Sequence, residues 1–81
     1  MIGLIKRTDS LRCVSYFTII GADEYSLFNQ MSELNENAYY CDTGNEFRLI
    51  AHKIGVHWFD NVGKILDNSE LIVKLKEEGV I

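Results

Sequence analysis

The sequence predicts a small α+β domain in which an antiparallel sheet is packed by helices. Three observations predict it: a β-rich stretch at residues 11–20, an apolar helical pattern after Asp23, and a capped helical pattern after Asp67. A chain of 81 residues with 47% hydrophobic residues and no proline is long enough for one core and too short for two. We therefore expect residues 1–81 to form a single compact domain.

The first two predicted elements form a β-hairpin. Residues 2–6 alternate weakly between apolar and polar side chains, and residues 11–20 are rich in the β-branched and aromatic types that suit a pleated, half-buried surface. The turn-forming residues Thr8, Asp9 and Ser10 lie between them. Gly21 then allows the chain to change direction.

An amphipathic helix is predicted from Asp23 to about Leu34. Asp23 suits the N-cap because its carboxylate accepts hydrogen bonds from the free amides of the first turn. The residues that recur at helical spacing and predict one apolar face are Leu27, Phe28, Met31 and Leu34. The polar residues at 35–37 are predicted to end this helix.

Residues 38–54 allow two interpretations. As strands, residues 38–41 and 46–52 flank a four-residue connection in which Gly44 suits the left-handed position of a hairpin. As a helix, Thr43 and Glu46 form a capping box and Gly55 ends the element. The hairpin is favoured because residues 38–41 need a nearby pairing partner.

The last third of the chain is predicted to end in a helix. Asp67 and Glu70 form a capping box, and Gly79 suits the position after the helix C-terminus. Apolar residues at spacings of three and four also allow an extra helix near residues 56–66. The predicted order is ββαββα, with a sheet made from two hairpins.

The candidate catalytic and metal-binding residues form no recognisable motif. His52 and His57 are five residues apart, so they point to different sides of a helix or strand and do not favour zinc binding with Cys13 and Cys41. Either cysteine, with His57 and Asp60, has the composition of a catalytic triad, but no nucleophile elbow, P-loop or HExxH motif is present. We expect no enzyme activity, no metal and no cofactor.

The cysteines and the hydropathy pattern indicate where the protein works. The long spacing of Cys13 and Cys41 is typical of reduced thiols, although a disulfide between them stays an open alternative. No apolar run approaches the length that crosses a membrane. We expect a cytoplasmic protein without a membrane partner.

Residues 47–66 resemble a helix-turn-helix unit, with Gly55 in the turn and Val62 and Ile65 in the second helix. The resemblance implies a small DNA-binding regulator, and this is the alternative function. The charge argues against it, because DNA binding requires a basic face and the chain carries a net charge of −4.

The strongest functional signal is a local excess of acid. Residues 13–47 contain no Lys or Arg, yet they carry Asp23, Glu24, Glu33, Glu36, Asp42 and Glu46. Such a segment speeds encounter with a basic surface, and Tyr25, Tyr39 and Tyr40 are candidate aromatic anchors. We therefore expect a non-enzymatic protein-binding module whose partner-binding residues are these nine.

The concrete form of this hypothesis is an inhibitor that competes with nucleic acid for a nucleic-acid-binding protein, as small viral or mobile-element proteins do. The partner is expected to be basic, and direct binding to nucleic acid is not expected. The sequence does not distinguish a monomer from a homodimer.

Overall fold

A computed structural model describes all 81 residues as an α+β fold built on one five-stranded antiparallel sheet. The strands are β1 (Ile2–Thr8), β2 (Val14–Ile20), β3 (Glu46–Ile54), β4 (His57–Phe59) and β5 (Ile65–Leu66), and the helices are α1 (Glu24–Tyr40) and α2 (Asn68–Glu77). The strand order across the sheet is β2-β1-β3-β4-β5. The predicted fold class is confirmed, while the element order is ββαβββα.

The predicted first hairpin is confirmed. β1 and β2 pair in register from Ile2 opposite Ile20 to Thr8 opposite Val14. In the connection, Asp9 Oδ1 accepts hydrogen bonds from the N–H groups of Leu11 at 2.9 Å and Cys13 at 2.8 Å. Asp9 therefore fixes the turn, as its residue type predicts.

Helix α1 begins as predicted but is longer than predicted, because it continues past Leu34 to Tyr40. The side chain of Asn35 bonds to the backbone of Phe47 in β3 and so does not compete with the backbone of its own helix. Ala38 lies on the buried side of α1 together with Leu27. Tertiary contacts thus extend the helix through residues that were predicted to end it.

The second predicted hairpin is wrong, although its second strand is present. Residues 38–41 belong to α1 and its C-cap, and β3 pairs with β1, with a bulge opposite Leu4 and Ile5. The alternative helix over residues 43–54 is wrong for the same reason, since Glu46–Ile54 is a strand. β3 obtains its partner from the start of the chain, which local sequence does not reveal.

The extra helix near residues 56–66 is also wrong, and with it the helix-turn-helix unit over residues 47–66. Gly55 adopts a left-handed φ of 61° and folds His57–Phe59 back against β3 as strand β4. A second turn at Gly63, with φ 85°, returns the chain to β5. The glycines favour tight turns over helix in this segment.

The C-terminal helix α2 is confirmed with both predicted ends. Glu70 N–H donates to Asp67 Oδ1 at 2.8 Å, and Glu70 Oε1 accepts from Asp67 N–H at 3.4 Å. At the other end, Gly79 has φ 81° and Val80 N–H donates to Leu75 C=O at 2.8 Å.

Lys64 Nζ lies 2.7 Å from Glu70 Oε2, and this hydrogen bond raises the pKa of Lys64.

The sheet lies between the two helices. On one face, Gly3 lies so close to α1 and β3 that an added Cβ would stand 3.0 Å from Leu49 Cδ1. On the other face, Tyr16 Oη donates to Glu78 C=O at 2.6 Å and fixes the end of α2. The fully buried large side chains are Ile5, Leu27, Leu49, Ile50 and His52. Neither helix has the length and hydropathy needed to cross a membrane.

Candidate protein-binding surface on helix α1

The solvent-facing side of α1 carries four of the nine residues that the sequence predicts to bind a partner. Asp23 Oδ1 accepts from Ser26 N–H at 2.8 Å and begins the helix. Burial of Leu27 and Ala38 fixes the rotation of the helix, so residues at the opposite helical angle face solvent. They are Tyr25, Asn29, Glu33, Glu36 and Tyr40. We call these five residues the outer face of α1.

Large aromatic side chains stand at both ends of this outer face. Tyr25 is 74% exposed and Tyr40 is 75% exposed, and about 22 Å of helix separates them at the usual rise per residue. Tyr39, 81% exposed, packs edge-to-face on Tyr40 with ring centroids 5.6 Å apart. None of the three tyrosines is part of the core, in agreement with their proposed role as anchors.

Glu33 and Glu36 lie between these aromatic ends and have no basic partner. The ion pairs of the molecule join Glu78 to Lys6 and Arg48, and Glu70 to Lys64, while Glu24 contacts the ring of His52. The last turn of α1 contains no Lys or Arg, although its free carbonyl groups already form the negative end of the helix dipole. The negative potential of the outer face is therefore uncompensated.

Asp42 and Glu46 extend this negative potential beyond the end of α1. Both are exposed, and Asp42 adopts a left-handed φ of 52° in the turn that follows the helix. Together with Tyr39 they line a cleft of about 290 Å³. The acidic residues thus follow the length of the helix and its C-terminal turn instead of forming one tight cluster.

Asp23 and Glu24 have structural contacts in addition. Asp23 caps the helix, and Glu24 Oε1 lies 3.2 Å from Nε2 of the buried His52. Glu24 is still about half exposed, at 49% of its side chain. These two residues add charge at the N-terminal end of α1, but their substitution would also disturb the fold.

The sequence does not predict that His52 is buried in the core. Its side chain is 1% exposed, stacked on Phe59 at 5.6 Å and edge-on to Phe28 at 6.4 Å, and its Nδ1 has no hydrogen-bond partner. Its place among the apolar residues of β3 is the only sequence signal for such burial. It serves as an aromatic core residue that connects β3 to the start of α1.

The remaining candidates for chemistry lie apart. Cys13 and Cys41 are exposed and not bonded to each other, and His57 is exposed at the start of β4. No three His, Cys, Asp or Glu side chains come close enough together to hold a metal ion. The structure therefore places Tyr25, Glu33, Glu36 and Tyr40 along one side of α1 and does not bring the cysteines and histidines together.

Comparison with models of protein families, with curated proteins and with solved structures finds no match for this chain.

Proposed function

We propose that the outer face of α1 docks on a protein with a basic surface. The observation that carries this proposal is that Glu33 and Glu36 stand without a basic partner between the exposed Tyr25 and Tyr40. Uncompensated charge of one sign steers an oppositely charged surface into contact. The tyrosines supply apolar area with a hydrogen-bonding group, which is what interface anchors provide.

The two kinds of residue are expected to act on different rate constants. Glu33 and Glu36 lie in solvent, so they mainly raise the rate of association, and salt screens their effect. Tyr25 and Tyr40 become buried only in the complex, so they mainly slow dissociation. Asp42 and Glu46 extend the field at the end of the helix.

A nucleic-acid-binding protein is the partner class that fits this surface best. Such proteins present a basic groove that displaces counterions from phosphates, and an acidic helix flanked by aromatic rings can occupy the same groove. The protein then acts as a competitor of nucleic acid. Its own acidic face disfavours direct binding to phosphates.

The test compares two charge reversals of the same size. Glu36→Lys changes the outer face of α1, and Glu77→Lys changes an exposed residue of α2 that has no ion pair. A partner is first captured from cell extract by cross-linking to the wild-type protein, and association is then followed by surface plasmon resonance at low and high salt. We expect Glu36→Lys to slow association about tenfold at low salt and less at high salt.

Two controls make the result decisive. Glu77→Lys should leave the association rate within about twofold of the wild-type rate. Neither variant should lower the melting temperature by more than about 3 °C, since both residues are exposed. Equal association rates for wild type and Glu36→Lys would refute docking through α1. A partner without a basic surface would refute it as well.

A further inference from the structure

A second surface lies at the outer edge of strand β2. Gly21 N–H donates to Met1 C=O, and Asp9 N–H donates to Cys13 C=O, so the odd-numbered residues of this strand face β1. The backbone N–H and C=O groups of the even-numbered residues therefore point away from the sheet. These residues are Val14, Tyr16, Thr18 and Ile20, and we call their outward groups the β2 edge.

The β2 edge lacks the features by which proteins keep an edge strand unpaired. β2 has the sequence VSYFTII, which contains no charged residue and no proline, and it pairs with β1 without a bulge. Gln30 Nε2 donates to Ile20 C=O at 2.8 Å, and this is the only side-chain bond to the edge. The other outward groups are open to a further strand.

We infer that the β2 edge pairs antiparallel with the β2 edge of a second copy of this chain, about a two-fold axis at Phe17. In that register Val14 lies opposite Ile20 and Tyr16 lies opposite Thr18, so every outward-facing residue meets another. Each such pair exchanges two backbone hydrogen bonds, and Ile20 C=O accepts both from Gln30 of its own chain and from Val14 N–H of the other copy through its two lone pairs. The two sheets join into one continuous sheet.

Side chains on both faces agree with this register. On the face opposite α1, Val14 and Ile20 are 44% and 75% exposed, and Ile20 also neighbours the exposed Ile2 of β1. Pairing places Val14 of one copy beside Ile20 of the other and covers both. Apolar cross-strand neighbours of this kind stabilise a sheet.

The face toward α1 offers room for the central aromatic residue. A cleft of about 210 Å³ lies between β2 and α1, with Phe17, Ile19 and Leu34 among its lining residues. At the two-fold axis, Phe17 of each copy lies opposite Phe17 of the other in a pair without hydrogen bonds, where side chains approach most closely. The ring of one copy can therefore cover the cleft of the other.

Charge favours a second copy over a basic strand from another protein. β2 itself is uncharged, and Glu33 is the only ionised residue lining the cleft, so a basic strand finds little to bind. When two copies pair through β2, no charged side chains of the two strands lie opposite each other. Because each chain has a net charge of −4, salt should strengthen this association, whereas it weakens docking through α1.

The test measures the oligomeric state of the protein and then the distance between two spin labels in the dimer. Sedimentation velocity from about 1 µM to about 1 mM should show a monomer–dimer equilibrium. Ile20→Lys should raise the dimer dissociation constant at least about tenfold, because it puts a charge on the β2 edge. Val62→Lys changes an apolar residue of the β4–β5 turn that is at least as exposed as Ile20, and it should leave the constant unchanged.

The register is measured with one spin label. In a Cys41→Ser variant the label attaches to the exposed Cys13, which lies opposite Gly21 of the other copy. The two labelled Cα atoms are then about 27 Å apart along the strand, at about 3.4 Å per residue. Pulsed electron paramagnetic resonance should give a distribution centred near this distance.

Four results would overturn the proposal. The first is a monomer at every concentration, and the second is a dimer that Ile20→Lys leaves intact. The third is a label distance near 20 Å or below, which indicates a shifted or parallel register. The fourth is protection of the β2-edge amides against hydrogen exchange only when a different protein is added. That result would assign the edge to the added protein.

Discussion

The sheet has two long stretches of backbone without a neighbouring strand, and side chains cover only one of them. β3 extends beyond the short strand β4, and there Asn35 Oδ1 accepts from Phe47 N–H at 2.8 Å while Asn35 Nδ2 donates to Phe47 C=O at 2.9 Å. Leu49 N–H contacts Met31 Sδ at 3.0 Å, and Leu49 C=O accepts from Asn61 Nδ2 at 2.6 Å. The β2 edge has only the bond from Gln30.

The difference shows which edge is closed to a further strand. Unpaired backbone groups invite pairing with another chain, and the part of β3 without a neighbouring strand avoids this because side chains of α1 and the β4–β5 turn bond to its backbone groups. β2 lies at the other end of the sheet, beyond the reach of these side chains. The outward N–H and C=O groups of β2 are free to pair with another strand, whereas those of β3 are already hydrogen-bonded.

The largest expected contrast lies in hydrogen exchange. In the monomeric Ile20→Lys variant, amides that face out from β2 should exchange at least about a hundredfold faster than those that face β1, because only the latter are hydrogen-bonded. The fast group is Val14, Tyr16 and Thr18, and the slow group is Ser15, Phe17 and Ile19. Exchange measured by NMR provides both groups within one strand.

The Phe47 amide is the comparison on the covered edge. It should exchange as slowly as the inner group of β2, because Asn35 bonds it. In the wild-type protein, Thr18 should become protected as concentration rises while Phe47 stays constant. Slow exchange of Thr18 in the dilute monomer would mean that the β2 edge is already covered.

The next largest effect is expected from removing the cover of β3. Asn35→Leu leaves the N–H and C=O of Phe47 without their partner, so we expect a loss of about 2 kcal/mol in the free energy of unfolding. Urea denaturation measures it. Asn37→Leu is the matched control in the same helix, because its exposed side chain makes no hydrogen bond, and it should change stability by less than about 0.5 kcal/mol.

A small loss for Asn35→Leu would contradict this account of α1. Asn35 would then be replaceable by water, and the covered edge of β3 would need another explanation. An increased tendency of that variant to form larger oligomers, with Ile20→Lys present to block the β2 edge, would show that Asn35 keeps the β3 edge closed.

The same asparagine explains why the sequence predicts the start of α1 and not its end. Asp23 acts within its own turn, so its capping role can be predicted from local sequence. Asn35 is equally suited to ending a helix, but its side chain bonds to a strand that comes 12 positions later. A preference that depends on a distant partner cannot be inferred from neighbouring residues.

The strands also show that local sequence predicts only pairings between neighbouring elements. The β-rich residues of β2 and the turn residues before them predict the first hairpin, because both strands are adjacent in sequence. The partner of β3 is β1, which is separated from it by the whole of α1, so the expectation that residues 38–41 would pair with it was wrong. For residues 56–66, apolar spacing suits a helix, and the left-handed turns at Gly55 and Gly63 decide against it.

The candidate surface on α1 was predictable in part. Tyr25, Tyr39 and Tyr40 are exposed, as residues proposed from sequence to be interface anchors must be, and the last turn of α1 contains no Lys or Arg. The contact between Glu24 and His52 was not predictable, because it depends on the register of β3 against β1. The β2 edge was not predictable either, since sequence does not tell which strand lies outermost.

The smallest effect is expected at Gln30, the one side chain that bonds to the β2 edge. Gln30→Ala removes an exposed hydrogen bond to Ile20 C=O that water can replace, and alanine is the better helix former, so we expect a loss of at most about 0.5 kcal/mol. Asn29→Ala, at the neighbouring exposed position, is the control, and urea denaturation measures both. Association should be unchanged or tighter, because the freed carbonyl can accept from Val14 N–H of the second copy. A loss as large as that from Asn35→Leu would mean that Gln30 protects β2 as Asn35 protects β3, and the two edges would not differ.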